Sequence, residues 1–232
     1  MKNFTKKGFV LEANIVRDRE VIRKKSRENY GIELLDARLI MASIIYTLFE
    51  IKEGIKGNTN ESISQRIHLI ASYVQGIDIT ESSISEAQYM KATAIEKQNY
   101  EILTRIIEVK KGVAKEGQTP QIKNLPEKFR KTYGDLNKVA HPSNSGVIEQ
   151  LITKIIDGRS KGVSYLPSFN KELSKTMYEL HLIIMYNIIL EFIELLIEMY
   201  SDKIINELNE LGVTRFLAIA RDELLKKAAF NS

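Results

Sequence analysis

Apolar residues recur every three or four positions along most of this chain, the period of helices that bury one face. Residues 9–28 carry Leu11, Ile15 and Ile22 on one side with charges elsewhere, and Asn29-Tyr30-Gly31 supplies a stop, because glycine accepts the left-handed cap. Residues 32–53 form a second helix. Nine apolar residues, among them Leu35, Leu39, Ile40, Ile44, Leu48 and Phe49, cover most of its circumference. Asp36, Ser43, Thr47 and Glu50 are left on one narrow polar stripe, and a helix this apolar is expected in the middle of a bundle.

A third helix is predicted over 60–75, with Ile63, Ile67, Ile70, Ala71 and Val74 inward and His68 among them. Ser83-Ile84-Ser85-Glu86 fits a capping box, so a fourth helix is expected from there to about Lys111. Its apolar side is read as Ala87, Met90, Ala94, Ile95, Ile102, Leu103, Ile106 and Ile107. Residues 112–126 contain two glycines and two prolines and are the longest clear loop, the candidate for a mobile segment. A helix then starts near Pro126 and ends at His141, since Pro142 disfavours helix for the residue before it. Residues 146–156 read either as a short helix or as a strand, and 157–168 as irregular.

The last long helix is expected from about Asn170 to Leu211. Nearly every residue from 182 to 200 is apolar except Asn187, Glu191, Glu194 and Glu198, which line up as one stripe on an otherwise buried rod. A terminal helix covers 214–228. The expected fold is all-α, a single helical bundle of about seven or eight helices with long central helices at 32–53, 84–111 and 170–211. Residues 1–31 are a basic helix packed on the bundle or extending from it, and 32–232 the bundle itself.

Composition adds limits. At 232 residues, 44% apolar and 28% charged, the chain is long enough to bury a substantial core. It has no cysteine, which excludes a disulfide framework, a thiolate nucleophile, a zinc ribbon and an iron–sulfur site. That fits a reducing, cytoplasmic setting. The N-terminus has no clean apolar run of the secretory type. The three glutamates of the long helix argue against a membrane span. The formal charge of +4 is uneven: residues 1–28 hold nine Lys/Arg against four acids, leaving the remainder at −1. Such an arm is either a phosphate-facing surface or a solvated amphipathic helix.

Candidate chemistry centres on Phe129–Ser143. Gly134, Asn137, Lys138 and His141 share a face at spacings of three and four, so a cation, an amide and an imidazole reach one spot, able to hold a phosphate and move a proton. Arg130 returns to that face three turns earlier, about 16 Å away. Lys138 and His141 are the candidate catalytic pair, with Asn137, Arg130 and Tyr133 as candidate binding residues. The competing reading makes His141 a helix C-cap, where the dipole favours a protonated ring. The glutamate stripe fits no metal pattern: a di-iron bundle needs Glu-x-x-His, and the positions three before the histidines hold Gln65, Lys138 and Tyr178. His181 is expected at the core edge or hydrogen-bonded. No nucleophile elbow, glycine-rich phosphate loop, zinc finger or alternation of aromatic and basic residues is found, and no cofactor is implied.

Tyr133-Gly-Asp-Leu136-Asn-Lys-Val-Ala-His141-Pro142-Ser143 resembles a Tyr-x-x-Leu-(Ser/Asn)-x-x-x-His-x-Ser signature of uncharacterised bacterial all-helical proteins related to the HEPN superfamily. The run Glu86–Ala92 leading to Lys97-x-x-x-Glu101, and Tyr165-Leu-Pro167 followed by a helix with Tyr178 and His181, are similar to the same pattern, over roughly residues 32–205. The resemblance implies an all-α bundle, commonly a homodimer. Active members are metal-independent RNases with Arg-x(4–6)-His near a dimer interface. Here Arg130 lies too far from His141, and Lys138 is no equivalent of arginine. The resemblance therefore implies a degenerate, non-catalytic module that binds a protein or nucleic-acid partner such as RNA, in a defence or toxin–antitoxin setting. The alternatives are an endoribonuclease using His141 and a structural homodimerisation domain.

Overall fold

The computed structural model describes residues 2–54, 57–125, 127–140, 146, 149, 153–156 and 159–228. Among them are eight α-helices: α1 (Lys2–Gly54), α2 (Glu61–Gln75), α3 (Ile77–Ser85), α4 (Tyr89–Lys110), α5 (Glu127–Ala140), α6 (Lys171–Tyr200), α7 (Asp202–Glu210) and α8 (Val213–Ala228). The fold is an all-α bundle, with one small antiparallel hairpin, β1 (Thr153–Ile156) and β2 (Arg159–Val163). The open choice at 146–156 thus resolves to strand at its C-terminal end. Residues 159–163 are strand instead of irregular, with Thr153 opposite Val163 and Ile156 opposite Arg159. Arg-Ser-Lys-Gly-Val carries no apolar alternation, so its pairing was invisible locally.

α6 is the central rod. Leu182, Met185, Ile188, Phe192, Leu195 and Leu196 are wholly buried, each aliphatic side chain contributing roughly 1.5–3 kcal/mol of transfer free energy. By length and composition alone α6 could cross a membrane, and half of its most apolar window is buried inside this structure. Around it pack α1, α4, α3, α2 and α8, while α5 lies on α4. Asn170 caps α6 by accepting from Leu173 N at 3.0 Å, and Asn60 caps α2 by accepting from Ile63 N at 2.8 Å.

The expected stop at Gly31 is a kink, not a separation. α1 runs through it with Gly31 at φ 78°, ψ 164°, a conformation open essentially to glycine alone. Buried hydroxyls fasten this corner. Tyr30 Oη lies 3.0 Å from Ser174 Oγ, Ser174 donates to Ser26, and Ser26 donates to the Ser85 carbonyl. The Tyr30 ring stacks on Tyr178 at 3.9 Å between centroids.

Three expectations change. First, the 32–53 segment is not surrounded. Ile32, Leu39 and Tyr46, spaced by seven, stand 66%, 63% and 66% exposed, while Leu34, Met41 and Leu48 fill the core. Second, Ser83–Glu86 ends a helix instead of starting one. Glu86 pairs with Arg23 and accepts from Gln88 Nε2 at 3.0 Å, so its carboxylate is not available for a capping box, and Ala87 turns the chain at φ 58°. Third, the long C-terminal helix breaks at Ser201 (φ 59°). There the end of α1 and the loop before α2 engage it: Asn58 N donates to the Met199 carbonyl at 3.0 Å, and Tyr200 Oη donates to the Lys52 carbonyl at 3.2 Å.

Candidate functional site

α5 forms where a helix from near Pro126 to His141 is expected. Phe129 and Leu136 are buried and anchor it. The Tyr133 hydroxyl donates to Glu101 Oε1 of α4 at 2.7 Å, and Lys97 Nζ lies 6.0 Å from its ring centroid. Burial first, then the Glu101 carboxylate, pushes the Tyr133 phenol up to about 12. Arg130 Nε donates to the Leu125 carbonyl at 3.0 Å, which ties the start of α5 to the preceding turn. Two of the expected binding residues are therefore engaged in holding α5 in place. Asn137 and Lys138 belong to the last turn of α5, with their side chains outside the described part, and His141 lies outside the described residues.

The loop expected to be mobile is pinned at both ends. Glu108 Oε1 accepts from Gln121 N at 2.6 Å and Asn124 Nδ2 at 2.8 Å, and Arg105 donates to the Lys115 and Gln118 carbonyls. The glutamate stripe on α6 faces neighbouring helices of the same chain. Lys110 of α4 pairs with Glu191 and Glu194, and buried Arg66 of α2 pairs with Glu198.

The stripe that α4 buries is polar to an unusual degree: Thr93, Glu96, Asn99, Thr104 and Glu108 accompany Ala92, Tyr100 and Leu103, whereas Ala94 is exposed. At its centre His181 Nδ1 of α6 lies 3.4 Å from Glu96 Oε1, both side chains fully buried. Neither carboxylate oxygen and neither ring nitrogen has a hydrogen bond of good geometry. A carboxylate beside an imidazole is the chemistry of general base catalysis, but this pair is sealed from solvent and cannot meet a substrate. It acts on packing, by penalising any register of α4 on α6 that parts the two buried polar groups. In the sequence only its spacing points to it. Glu96 sits four residues after Ala92 and four before Tyr100, on the buried face.

The other feature with reach to a ligand is the first arm of α1. Residues 4–13 are all exposed, and the arm meets the rest of the chain from Asn14 and Ile15 onward, with Arg19 beside Glu86 and Ile22 buried. At 100° per residue, Lys6, Lys7, Arg17, Lys24 and Lys25 fall within an arc of about 100° and extend over roughly 28 Å. All five are exposed, and Glu28 at the inner end is the one acid in that arc. Arg17 contacts the neighbouring Asp18, and no ion pair is found for the four lysines among the described residues. Phe4 and Phe9 stand 85% and 68% exposed on either side of Lys6 and Lys7.

The fold and these surfaces define a helical bundle with a basic projecting arm. Comparison of the chain with protein-family models, curated proteins and solved structures finds no match.

Proposed function

We propose that this protein is a non-catalytic binding module for nucleic acid, and that the first arm of α1 is its contact surface. The observation that carries the reading is the alignment of Lys6, Lys7, Arg17, Lys24 and Lys25 on one exposed face of a helix whose residues 4–13 are all exposed. Cations arrayed in this way neutralise backbone phosphates and release counterions, without reading sequence. Phe4 and Phe9 add exposed rings on which unpaired bases stack, which favours single-stranded RNA or DNA. The HEPN-like resemblance supports the same reading, because the arginine of the active motif has no counterpart at the right distance from His141.

Fluorescence anisotropy with a labelled single-stranded RNA of about 20 nucleotides tests it. The intact chain is expected to bind, and Lys6→Ala/Lys7→Ala/Lys24→Ala/Lys25→Ala to lose at least tenfold in affinity with its helical circular dichroism unchanged. Undiminished binding by that variant would refute the role of the arm. Cleavage of the RNA, abolished by His141→Ala, would replace this reading with the endoribonuclease one. Light scattering on the same samples gives the oligomeric state, for which a homodimer is expected.

A further inference from the structure

The outer side of α1 beyond Gly31 presents three large apolar side chains to solvent. Ile32, Leu39 and Tyr46 stand 66%, 63% and 66% exposed, while Leu34, Met41 and Leu48 on the opposite side are completely buried. We propose that this stripe is the contact through which two copies of the chain pair, antiparallel about a two-fold axis at Leu39. The inference gives a surface to the homodimer expected above, and it does not rest on nucleic-acid binding.

Residues seven apart on a helix drift by only about 20°, so the three form one stripe about 21 Å long. At roughly 200 Å² for each fully exposed side chain they present about 400 Å² of apolar surface, the size of the largest patch on a typical monomer. A standard interface takes about 800 Å² from each partner, with an apolar centre and a polar rim. The stripe supplies such a centre, and Asp36, Ser43, Glu50 and Glu53, exposed on the same side, supply the rim. Two of its polar groups are already satisfied within the helix. Ser43 Oγ donates to the Leu39 carbonyl at 3.0 Å, and the Tyr46 hydroxyl donates to the Glu50 carboxylate. Covering these two hydroxyls therefore strands no donor.

The stripe matches itself in one orientation. Ile32 and Tyr46 each lie seven residues from Leu39. A two-fold axis at Leu39 sets Leu39 against its own copy and Ile32 against the partner's Tyr46, apolar on apolar at each level. Moving the axis two residues along would set Leu39 against Ser43 and Ile32 against Glu50. Charge selects the same orientation. Between Ile32 and Glu53, the charged residues within the same arc of about 100° are Asp36, Glu50 and Glu53, all acids. A parallel pair would stack each on its own copy. The antiparallel pair instead carries Glu50 and Glu53 towards the partner's residues 1–28, which hold nine Lys/Arg against four acids. The partner's α1 ends at Gly54, so residues 4–13 extend beyond the contact.

Sedimentation equilibrium of the full chain over about 1–100 µM measures the association, and a dimer is expected to form across that range. Leu39→Glu, at an exposed position, should keep the helical circular dichroism and weaken dimerisation at least tenfold, because it brings two carboxylates together on the axis. Introduced cysteines read the orientation, since the chain has none of its own. With diamide as oxidant, Leu39→Cys should form a covalent dimer, and so should a mixture of Ile32→Cys and Tyr46→Cys chains. Tyr46→Cys alone should not, because its two copies stand about 21 Å apart and a disulfide needs Cα atoms within about 7 Å. A chain that stays monomeric at about 100 µM overturns the proposal and leaves the face to a different protein. A dimer indifferent to Leu39→Glu overturns the stripe as its contact, and self-linking of Tyr46→Cys overturns the antiparallel arrangement. These measurements contain no RNA, so their failure leaves the role of the arm untouched.

Discussion

His181 and Glu96 meet across the α4–α6 interface, Nδ1 to Oε1 at 3.4 Å, with no part of either side chain open to solvent. Tyr73 of α2 and Tyr100 of α4 stand close enough to the Glu96 carboxylate to feel its charge, which adds to burial in raising both phenols. The middle of the bundle is therefore a polar assembly enclosed in apolar packing.

Separate removal of the two partners should expose their dependence on each other. Glu96→Leu or His181→Leu alone is expected to cost about 1–3 kcal/mol, because each leaves the other polar side chain buried without its neighbour. The double substitution is expected to recover most of that loss. Urea denaturation of the four proteins at neutral pH measures the coupling, and simply additive losses would mean that the pair does not interact.

Alkali should unfold this protein through its tyrosines. Burial pushes the Tyr30 phenol from 10.0 up to about 12, while hydrogen bonds from Ser174 and Ser26 oppose the rise. Between those values the unfolded chain has lost a proton that the folded chain still holds, so stability is full below pH 10 and falls as pH rises towards 12. The loss from Tyr30 is about 2–3 kcal/mol, at 1.36 kcal/mol for each unit. Denaturant midpoints measured from pH 9 to 12 should decline, and Tyr30→Phe should make the decline shallower.

Three glycines should respond differently to alanine. Gly31→Ala forces a side chain into a positive-φ conformation and is expected to cost about 1–3 kcal/mol. Gly57→Ala places a Cβ within the Tyr200 ring and should also cost about 1–3 kcal/mol, through displacement of a packed aromatic. Gly8 lies inside the exposed arm with open space around it, so Gly8→Ala should stabilise that helix by roughly 0.5–1 kcal/mol. Thermal unfolding followed at 222 nm ranks the first two, and the amplitude of the helical signal reports the third.

Salt should weaken RNA binding in proportion to the phosphates engaged. For single strands the slope of log K against log salt is about −0.7 per contact, so five cations set a limit near −3.5. Lys24→Ala/Lys25→Ala should lower the slope by about 1.4. An unchanged slope would place the contact elsewhere on the molecule.

The sequence by itself determined the helical class and the helices at 60–75, 126–141 and 214–228 to within a residue or two, and it marked Gly31, where the chain kinks instead of stopping. These follow from local causes, a 3.6-residue apolar period and a glycine where only glycine fits. It also made the basic arm countable. Tertiary structure decided the rest. Glu86 left its capping role because Arg23, distant in sequence, pairs with it. The last long helix broke at Ser201 because Asn58 and Lys52 bind the chain on its N-terminal side. Glu96 became a buried partner only because α6 brings His181 opposite it. Such outcomes depend on which surfaces meet, and no window of neighbouring residues contains that information.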